Sequence, residues 1–164
     1  MGTTVVAALF FDNKVTIAHV GDSRLYRQRG DKLEQVTLDH SLLQELVDRG
    51  FYSAEEAQRA GNKNYVTRAL GVESNVDVEI QEVPAGKGEV FILCSDGLSD
   101  MVEDEEIRLT LITLKTNPNL TVQQLVQAAN DNGGRDNISA MLIRVTEPFG
   151  VPRGWLARLK ALFG

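Results

Sequence analysis

Three aspartates stand close to glycines at points where apolar stretches begin or end. They are Asp22, Asp96 and Asp136. Asp96 follows the apolar stretch 90–94, and Asp136 leads into the apolar stretch 138–143. Both stretches are apolar enough to form strands buried on both faces, and neighbouring strands can bring carboxylates at their tips together. Crowded carboxylates repel each other unless they hold a hard divalent cation, so the pattern predicts a metal site on a β scaffold.

Each aspartate also has a simpler interpretation. Asp-Gly and Gly-Asp pairs are common in turns, and Asp100 is placed where it could cap a helix that follows Asp96. The occurrence of all three residues at strand tips favours a metal site over three unrelated turns.

The two histidines are the other candidate ligands or general acids. His19 lies within an apolar strand, which favours a buried core residue whose hydrogen bonds are satisfied. His40 follows Asp39 at a strand-to-helix junction, where a hydrogen bond at the start of the helix accounts for it. The sequence shows no Ser/His/Asp order, Cys/His pair or phosphate-binding glycine loop.

Composition limits the class of protein. The chain has 164 residues, of which 43% are hydrophobic and 24% charged, as expected for one globular domain. Its net charge of -6 argues against binding to nucleic acid or to anionic lipid. The single cysteine, Cys94, excludes a disulfide framework and a cysteine-held zinc. With no signal peptide pattern and no apolar run of roughly 18 residues, a cytoplasmic protein is expected.

The elements that position the aspartates begin as an antiparallel meander. The turns Asp12-Asn13-Lys14 and Arg29-Gly30-Asp31 separate alternating apolar stretches. Together with later stretches, the pattern predicts seven strands: 4–11, 15–20, 24–27, 33–38, 76–83, 90–94 and 138–145.

Helical spacing appears from Ser41 onward. An apolar stripe predicts a helix that Gly50 ends, and Ser53 and Glu56 have the spacing of a capping box for a second short helix. Pro118 is expected to break the chain between two later helices. These are predicted over 103–115, with acids in the first turn, and over 121–130, with Thr121 as the cap.

The segment 147–164 is predicted to be a tail separate from the domain 1–146. Its apolar residues fall roughly on one helical face, with basic residues around it. One interpretation is a helix that contacts a membrane surface or a partner. The alternative, which a single short amphipathic stretch favours more, is a terminal helix packed on its own domain or a disordered tail.

Five ordered motifs resemble the PPM family, the metal-dependent serine/threonine protein phosphatases also called protein phosphatase 2C, and above all its compact bacterial members. The resemblance covers residues 1 to about 146. The motifs are Met1-Gly2-Thr3-Thr4, Ala18-His19-Val20-Gly21-Asp22-Ser23-Arg24, Leu38-Asp39-His40-Ser41, Cys94-Ser95-Asp96-Gly97-Leu98 and Gly134-Arg135-Asp136-Asn137-Ile138-Ser139.

The resemblance implies an α+β fold, an antiparallel β-sandwich flanked by helices, with a manganese or magnesium cluster at one end. Carried over by motif, Asp96 and Asp136 are implied ligands of the first metal, and Asp22 shares a third, weaker metal with Asp96. The segment from Ser41 to about Asn64, called the flap segment below, is implied to lie beside the active site. The implied activity is hydrolysis of phosphoserine and phosphothreonine in proteins phosphorylated by a Ser/Thr kinase.

The chain departs from the family pattern at its start. Family members carry an earlier Asp-Gly motif whose aspartate bridges two metals, and an arginine that grips phosphate, whereas Asp96-Gly97 is the only Asp-Gly pair here. The fold is therefore expected to be N-terminally incomplete and the activity weak or absent. A non-catalytic, phosphatase-like binding or metal-sensing module is the alternative, and exposed sheet edges are expected to favour a dimer.

Overall fold

The computed structural model describes residues 2–53, 56, 65–72 and 75–151, which form two antiparallel sheets. One sheet has the strand order β1-β2-β5 and the other the order β4-β3-β6-β7. The strands are β1 (Val5–Phe11), β2 (Lys14–Val20), β3 (Arg24–Arg29), β4 (Lys32–Gln35), β5 (Glu79–Pro84), β6 (Val90–Cys94) and β7 (Ala140–Arg144).

The two sheets pack face to face because alternate residues of their strands are apolar. Val15 and Ile17 of β2 are fully buried and pack in one cluster with Leu25 of β3 and Phe91 of β6. Phe10 of β1 meets the Phe91 ring edge-on, with ring centroids 5.3 Å apart. This inter-sheet core makes the fold a β-sandwich.

Four helices are described: α1 (Leu42–Asp48), α2 (Asp96–Ser99), α3 (Asp104–Thr113) and α4 (Pro118–Asp131). The last three cover the outer face of the four-stranded sheet, where Ile107 of α3 and Leu125 of α4 are fully buried with Tyr26 and Ile92. The architecture is therefore the expected α+β sandwich with flanking helices. Among the described helices, none combines the length and apolarity needed to cross a membrane.

Several predicted elements are confirmed, and the boundaries of others are wrong. Strand β4, predicted over 33–38, ends at Gln35. The hairpin β1–β2, the strand β6 and the helix after Ser41 lie where the sequence predicts them. The last helix begins at Pro118 and not at Thr121, because Pro fits the first helical turn and Asn117 is the cap, accepting from Leu120 N–H at 3.1 Å. Strand β5 begins only at Glu79, so Val76 lies outside it.

Strand β7 differs from the prediction of a strand buried on both faces. It pairs with β6 only, at the edge of the four-stranded sheet in the described part of the chain, and Met141 is 61% exposed. Strand β6, in contrast, has neighbours on both sides and is buried almost throughout. Of the two strands next to Asp96 and Asp136, one is central and the other lies at an edge.

The start of the predicted tail contacts the sandwich at the β1–β2 turn. Asn13 Oδ1 accepts from Phe149 N–H at 2.7 Å, and Asp12 Oδ1 accepts from Val151 N–H at 2.8 Å. The Phe149 ring lies 6.2 Å from that of Phe10. Residues 152–164, which carry the predicted amphipathic stretch, lie outside the described residues, as does most of the short helix predicted from Ser53.

Candidate metal centre

The end of β6 and the loop before β7 are held together by one serine. The Ser95 hydroxyl donates to Asn137 C=O at 2.9 Å and accepts from Ser139 N–H at 3.0 Å. The Ser95 N–H donates to Ser139 C=O at 3.1 Å, one step beyond the last paired residues of the two strands. These bonds place the residues that follow Ser95 beside the residues that precede Ser139, so the segments carrying Asp96 and Asp136 are neighbours.

Gly97 lets these two segments approach closely. A Cβ atom on Gly97 would lie 2.5 Å from Asn137 O and 3.3 Å from Asp136 O, which are backbone atoms that cannot swing away. The glycine after Asp96 is thus required by contact with the loop of the other aspartate. In the sequence, the Asp-Gly pair stands out because such pairs are common in turns. In the structure, the glycine is needed because there is no room for a Cβ atom.

The two carboxylates have different exposure. Asp96 is half-buried at the first turn of α2, and its Oδ1 accepts from Gly97 N–H at 2.9 Å. Asp136 is exposed, and its Oδ1 accepts from Asn137 N–H at 2.7 Å. Each carboxylate is therefore oriented by the next backbone N–H, which fixes one of its oxygens.

Asp22 lies between β2 and β3 on the same end of the sandwich. Its burial raises its pKa to about 6, and the negative charge of Asp96 is the next largest cause. Asp39 and Asp100 act in the same direction, and hydrogen bonding to the backbone opposes them. A carboxylate whose ionised form is disfavoured by neighbouring carboxylates gains from a cation, so this raised pKa fits a metal ligand.

Arg24 balances part of this negative charge. Its guanidinium binds Asp39 through two nitrogens, Nε to Oδ1 at 2.9 Å and an Nη to Oδ2 at 2.7 Å, with both side chains mostly buried. It also donates to Tyr26 Oη at 2.9 Å, which in turn donates to Asp104 at 3.0 Å. The bidentate pair commits Asp39 to Arg24, so Asp39 is poorly suited to hold an ion.

The donors of Asp22, Asp96 and Asp136 are all carboxylate oxygens, which suits Mn²⁺ or Mg²⁺ better than zinc. The three do not form one compact trio with ligand atoms within 4.8 Å of one another. Such a trio is not needed if one ion is held by Asp96 with Asp136 and another by Asp96 with Asp22. The acidic, oxygen-only donor set and the raised pKa of Asp22 fit divalent cations at this end of the sandwich.

A second cluster was not expected from the sequence. The described residues contain one group of three side chains whose ligand atoms lie within 4.8 Å of one another: His19, His40 and Glu79. The two imidazole rings are stacked with centroids 4.7 Å apart, and both histidines are buried. The residues come from β2, the segment before α1 and the start of β5, so no local sequence pattern predicts that they meet.

The interpretations of the two histidines need correction. His19 is buried as predicted, and its Nε2 bonds Leu38 C=O at 2.8 Å, but its buried Nδ1 has no partner among the described residues. His40 does not cap the helix. Ser41 does so, since its hydroxyl accepts from Gln44 N–H at 3.2 Å, whereas the His40 ring accepts from Gly21 N–H at 3.1 Å.

Comparison with known proteins identifies the family of the chain. A family model described as "Protein phosphatase 2C" matches residues 1–142. The chain belongs to the protein phosphatase 2C family. It is 42% identical over 143 residues to the serine/threonine phosphatase stp of Listeria innocua, covering 87% of this chain and 56% of that protein. It is 36% identical over 147 residues to the protein phosphatase PhpP of Streptococcus pneumoniae, covering 90% and 59%.

Solved structures of bacterial phosphatases have the same fold. The serine/threonine phosphatase PstP/Ppp of Mycobacterium tuberculosis superposes with a TM-score of 0.79 at 37% identity, covering 87% of this chain and 59% of that one. The catalytic domain of PstP in complex with two manganese ions gives a TM-score of 0.73, covering 87% and 58%. The chain therefore spans a little more than half the length of these relatives.

Proposed function

We propose that the domain 1–146 is the part of a metal-dependent phosphatase that hydrolyses phosphoserine and phosphothreonine in proteins. Asp96 and Asp136 would hold one divalent ion, and Asp22 would share a second, weaker ion with Asp96. The observation that carries this proposal is the Ser95 linkage, which makes neighbours of the two aspartate-bearing segments. The raised pKa of Asp22, with Asp96 among its causes, supports the second pair.

The cofactor is proposed to be Mn²⁺ or Mg²⁺. When bound, such ions activate water for hydrolysis and compensate the charge of the phosphoryl group. The chain's own residues orient the donors: Gly97 N–H and Asn137 N–H each hold one carboxylate oxygen, and Ser95 holds the two segments in contact. A covalent nucleophile is not required, in keeping with Cys94 being buried.

Metal binding tests the assignment of the aspartates directly. Mn²⁺ is titrated into the wild type, Asp96→Asn and, as a matched control, Asp131→Asn, which changes an aspartate on α4 that accepts from Gln127 at 2.7 Å. Asp96→Asn should abolish binding of both ions, whereas Asp131→Asn should bind as the wild type does. Equal Mn²⁺ binding by all three proteins would contradict the proposed centre.

Residues 1–164 by themselves are proposed to hydrolyse phosphoesters weakly or not at all, because they do not include counterparts of the bridging aspartate and the phosphate-binding arginine implied by the family resemblance. Hydrolysis of para-nitrophenyl phosphate with millimolar Mn²⁺ measures this. Turnover equal to that of a relative of full length would contradict the proposal.

The alternative function is a binding or metal-sensing module without catalysis. For residues 1–164 taken by themselves, this alternative is favoured because they include no counterpart of those two residues, whereas Asp22, Asp96 and Asp136 favour an origin in a working enzyme. A module that only binds proteins should keep its partner affinity in Asp96→Asn. A metal sensor should bind Mn²⁺ without hydrolysing any phosphoester, so the titration and the assay together separate the cases.

The substrates are proposed to be phosphoproteins made by a Ser/Thr kinase, and the compartment is proposed to be the cytoplasm. The single cysteine, which is free and buried, supports a reducing compartment. Dephosphorylation of a kinase-treated bacterial lysate, followed by phosphopeptide mass spectrometry, would test the substrate class. Any phosphate that this chain removes should come from Ser and Thr, as it should for a full-length relative used as the positive control. Removal of phosphate from Tyr alone would contradict the proposed substrate class.

A dimer through the sheet edge is also proposed, with a second copy of this chain as the partner. Within the described residues, β1 pairs with β2 alone, and the outer face of its sheet exposes Leu9, Phe11 and Ile80 by 66%, 64% and 67%. Two β1 edges can pair antiparallel about a two-fold axis. Leu9→Glu should then give a monomer in size-exclusion chromatography, whereas Leu109→Glu on α3 should not; a monomeric wild type would contradict the dimer.

A further inference from the structure

His40 lies where three separate stretches of the chain meet. Its ring faces the turn at Gly21, its backbone directly precedes the flap segment, and its Nε2 lies 3.4 Å from Glu79 Oε2 at the start of β5. On the fourth side, the ring stacks on His19. The side chain is 6% exposed, so these contacts define its surroundings.

The hydrogen-bond partners fix the tautomer of each histidine. A backbone N–H can only donate, so His40 Nδ1 carries a lone pair toward Gly21 and the ring proton is on Nε2, toward Glu79. A carbonyl can only accept, so His19 carries its proton on Nε2, toward Leu38. Because His40 Nε2 holds a proton, it has no lone pair for a cation, and the His19–His40–Glu79 cluster is not a metal site.

The contact between His40 and Gly21 is reciprocal. Gly21 N–H donates to His40 Nδ1 at 3.1 Å, and His40 N–H donates to Gly21 C=O at 2.9 Å. Gly21 has φ +105, and a Cβ on it would lie 2.2 Å from the Thr4 methyl carbon. Since this backbone is held on both sides, the direction of the next residue, Asp22, depends on the His40 ring.

His40 also holds the base of the flap segment. Its C=O accepts from Thr67 N–H at 2.8 Å, and the following residue, Ser41, forms a β-bridge with Val66. Leu42 N–H then donates to Tyr65 C=O at 2.9 Å. These contacts join the start of the flap segment to the residues that follow it. The five residues called the flap base below are Ser41, Leu42, Tyr65, Val66 and Thr67.

We propose that His40 is a positioning residue that couples the Asp22 carboxylate to the flap base. An ion held by Asp22 would order the Gly21 backbone and, through the two bonds to His40, the strand pair at the base of the flap segment. Because coupling is reciprocal, order in the flap base would raise the affinity of the Asp22 site. The inference rests on the proposed metal centre and adds a route from that centre to the segment beside it.

Two substitutions test separately the contact of Nδ1 with Gly21 and the contact of Nε2 with Glu79. In His40→Asn, the amide oxygen takes the place of Nδ1 and accepts from Gly21 N–H, while the contact with Glu79 is lost. In His40→Gln, the amide reaches toward Glu79 and Gly21 N–H is left without that acceptor. Glu79→Gln, as a further control, removes the charge beside Nε2 and leaves the Gly21 bond in place.

The measurement is a Mg²⁺ titration followed by amide chemical shifts in NMR spectra. In the wild type, the chemical shifts of the Asp22 and Thr67 amides should change with the same apparent dissociation constant for Mg²⁺. In His40→Gln, the affinity read at Asp22 should fall about tenfold, as for losing a residue that orients a ligand, and the Thr67 response should disappear. In His40→Gln, the Asp96 and Asp136 amides should still shift when Mg²⁺ is added. His40→Asn and Glu79→Gln should give the same shifts as the wild type.

The outcomes are distinguishable. If Asp96 and Asp136 respond in the wild type but Thr67 does not follow Asp22, or if His40→Gln behaves as the wild type, the coupling is overturned and the metal centre stands. If no aspartate responds to Mg²⁺ or to Mn²⁺, the proposed function fails and the coupling fails with it. Circular dichroism of each variant shows whether it folds, and a folded His40→Asn with lost coupling also overturns the proposal.

Discussion

Ser95 and Ser139 exchange two hydrogen bonds across the end of the β6–β7 ladder. The Ser95 N–H donates to Ser139 C=O at 3.1 Å, and the Ser139 N–H donates to the Ser95 hydroxyl at 3.0 Å. In the second bond, the acceptor is the Ser95 hydroxyl and not a backbone carbonyl. The backbone ladder therefore ends at the point where the aspartate-bearing segments begin. The candidate metal centre thus starts where the ladder ends.

Ser95→Ala should destabilise the protein and weaken metal binding. The substitution removes the bonds of the Ser95 hydroxyl to Asn137 C=O and Ser139 N–H, which should cost about 1–2 kcal/mol of unfolding free energy at this partly exposed site. Urea unfolding and Mn²⁺ titration measure both effects. Ser99→Ala is the matched control, since the buried Ser99 hydroxyl has no partner among the described residues and its loss should not destabilise. Equal effects of the two substitutions would contradict the role given to Ser95.

Gly97→Ala should separate the two aspartate-bearing segments. The added methyl group would meet Asn137 O at 2.5 Å, so the backbone must move, at a cost of about 1–3 kcal/mol. Gly86→Ala provides the control, because its Cβ would find only the Glu89 carboxylate, at 3.4 Å. The midpoint temperature of unfolding and the Mn²⁺ affinity should both fall in Gly97→Ala and stay near the wild-type values in Gly86→Ala. A Gly97→Ala protein with wild-type affinity would show that the close contact does not matter for the site.

Ionisation of Asp22 should reduce the stability of the metal-free protein as the pH rises through the window from 3.8 to about 6. Asp22 has its pKa raised to about 6 in the folded state by burial and by Asp96, so in this window the folded protein binds more protons than the unfolded chain. Above pH 6 the buried charge opposes folding fully. Asp22→Asn should remove this loss and gain about 1 kcal/mol at pH 7.5, a figure reduced for the solvent screening of a half-exposed group.

Urea unfolding of the metal-free wild type and Asp22→Asn at several pH values tests this sign. The difference in unfolding free energy should be small near pH 4 and largest above pH 6. Addition of Mg²⁺ should reverse the order at neutral pH, because only the wild type keeps the carboxylate. A stability of Asp22→Asn below that of the metal-free wild type at pH 7.5 would contradict the raised pKa.

The Cys94 thiol should not react in the native protein. Burial raises its pKa to about 12, so the thiolate is scarce at pH 8, and the side chain lies in the core between β6 and the helices. A thiol reagent such as DTNB should label it only as fast as the protein unfolds, and at once in concentrated guanidinium. Rapid labelling under native conditions would show that this core is open.

The sequence predicts best what local patterns control. The strand β6 is apolar enough to be recognised with its ends, and Ser41 is the cap where the helical spacing begins. The sequence does not settle the start of α4, because proline breaks a helix from inside but is favoured in its first turn, where Pro118 lies. Position in the sheet decides the exposure of β7, and position follows from strand order, which the local pattern does not contain.

Contacts between distant stretches explain what the sequence left out of the site. The sequence shows His40 only beside the start of a helix, but its ring accepts a hydrogen bond from Gly21 N–H, nineteen residues earlier. Gly97 stands out as a turn residue, whereas its necessity comes from the loop at Asn137. The aspartates could be selected because carboxylates at strand tips share one chemical signature, but their pairing depends on side-by-side placement of β6 and β7.

The hydrogen bonds from Phe149 and Val151 to the β1–β2 turn place this part of the chain at the pole of the sandwich opposite the aspartates. Strand β2 runs from that turn toward Asp22, and its seven residues give a separation of about 20 Å. A fluorophore or surface tether joined at Val151, which is 44% exposed, would therefore leave the carboxylate pole facing solution. Immobilised in this orientation, the protein would present its acidic end to any molecule that diffuses toward it.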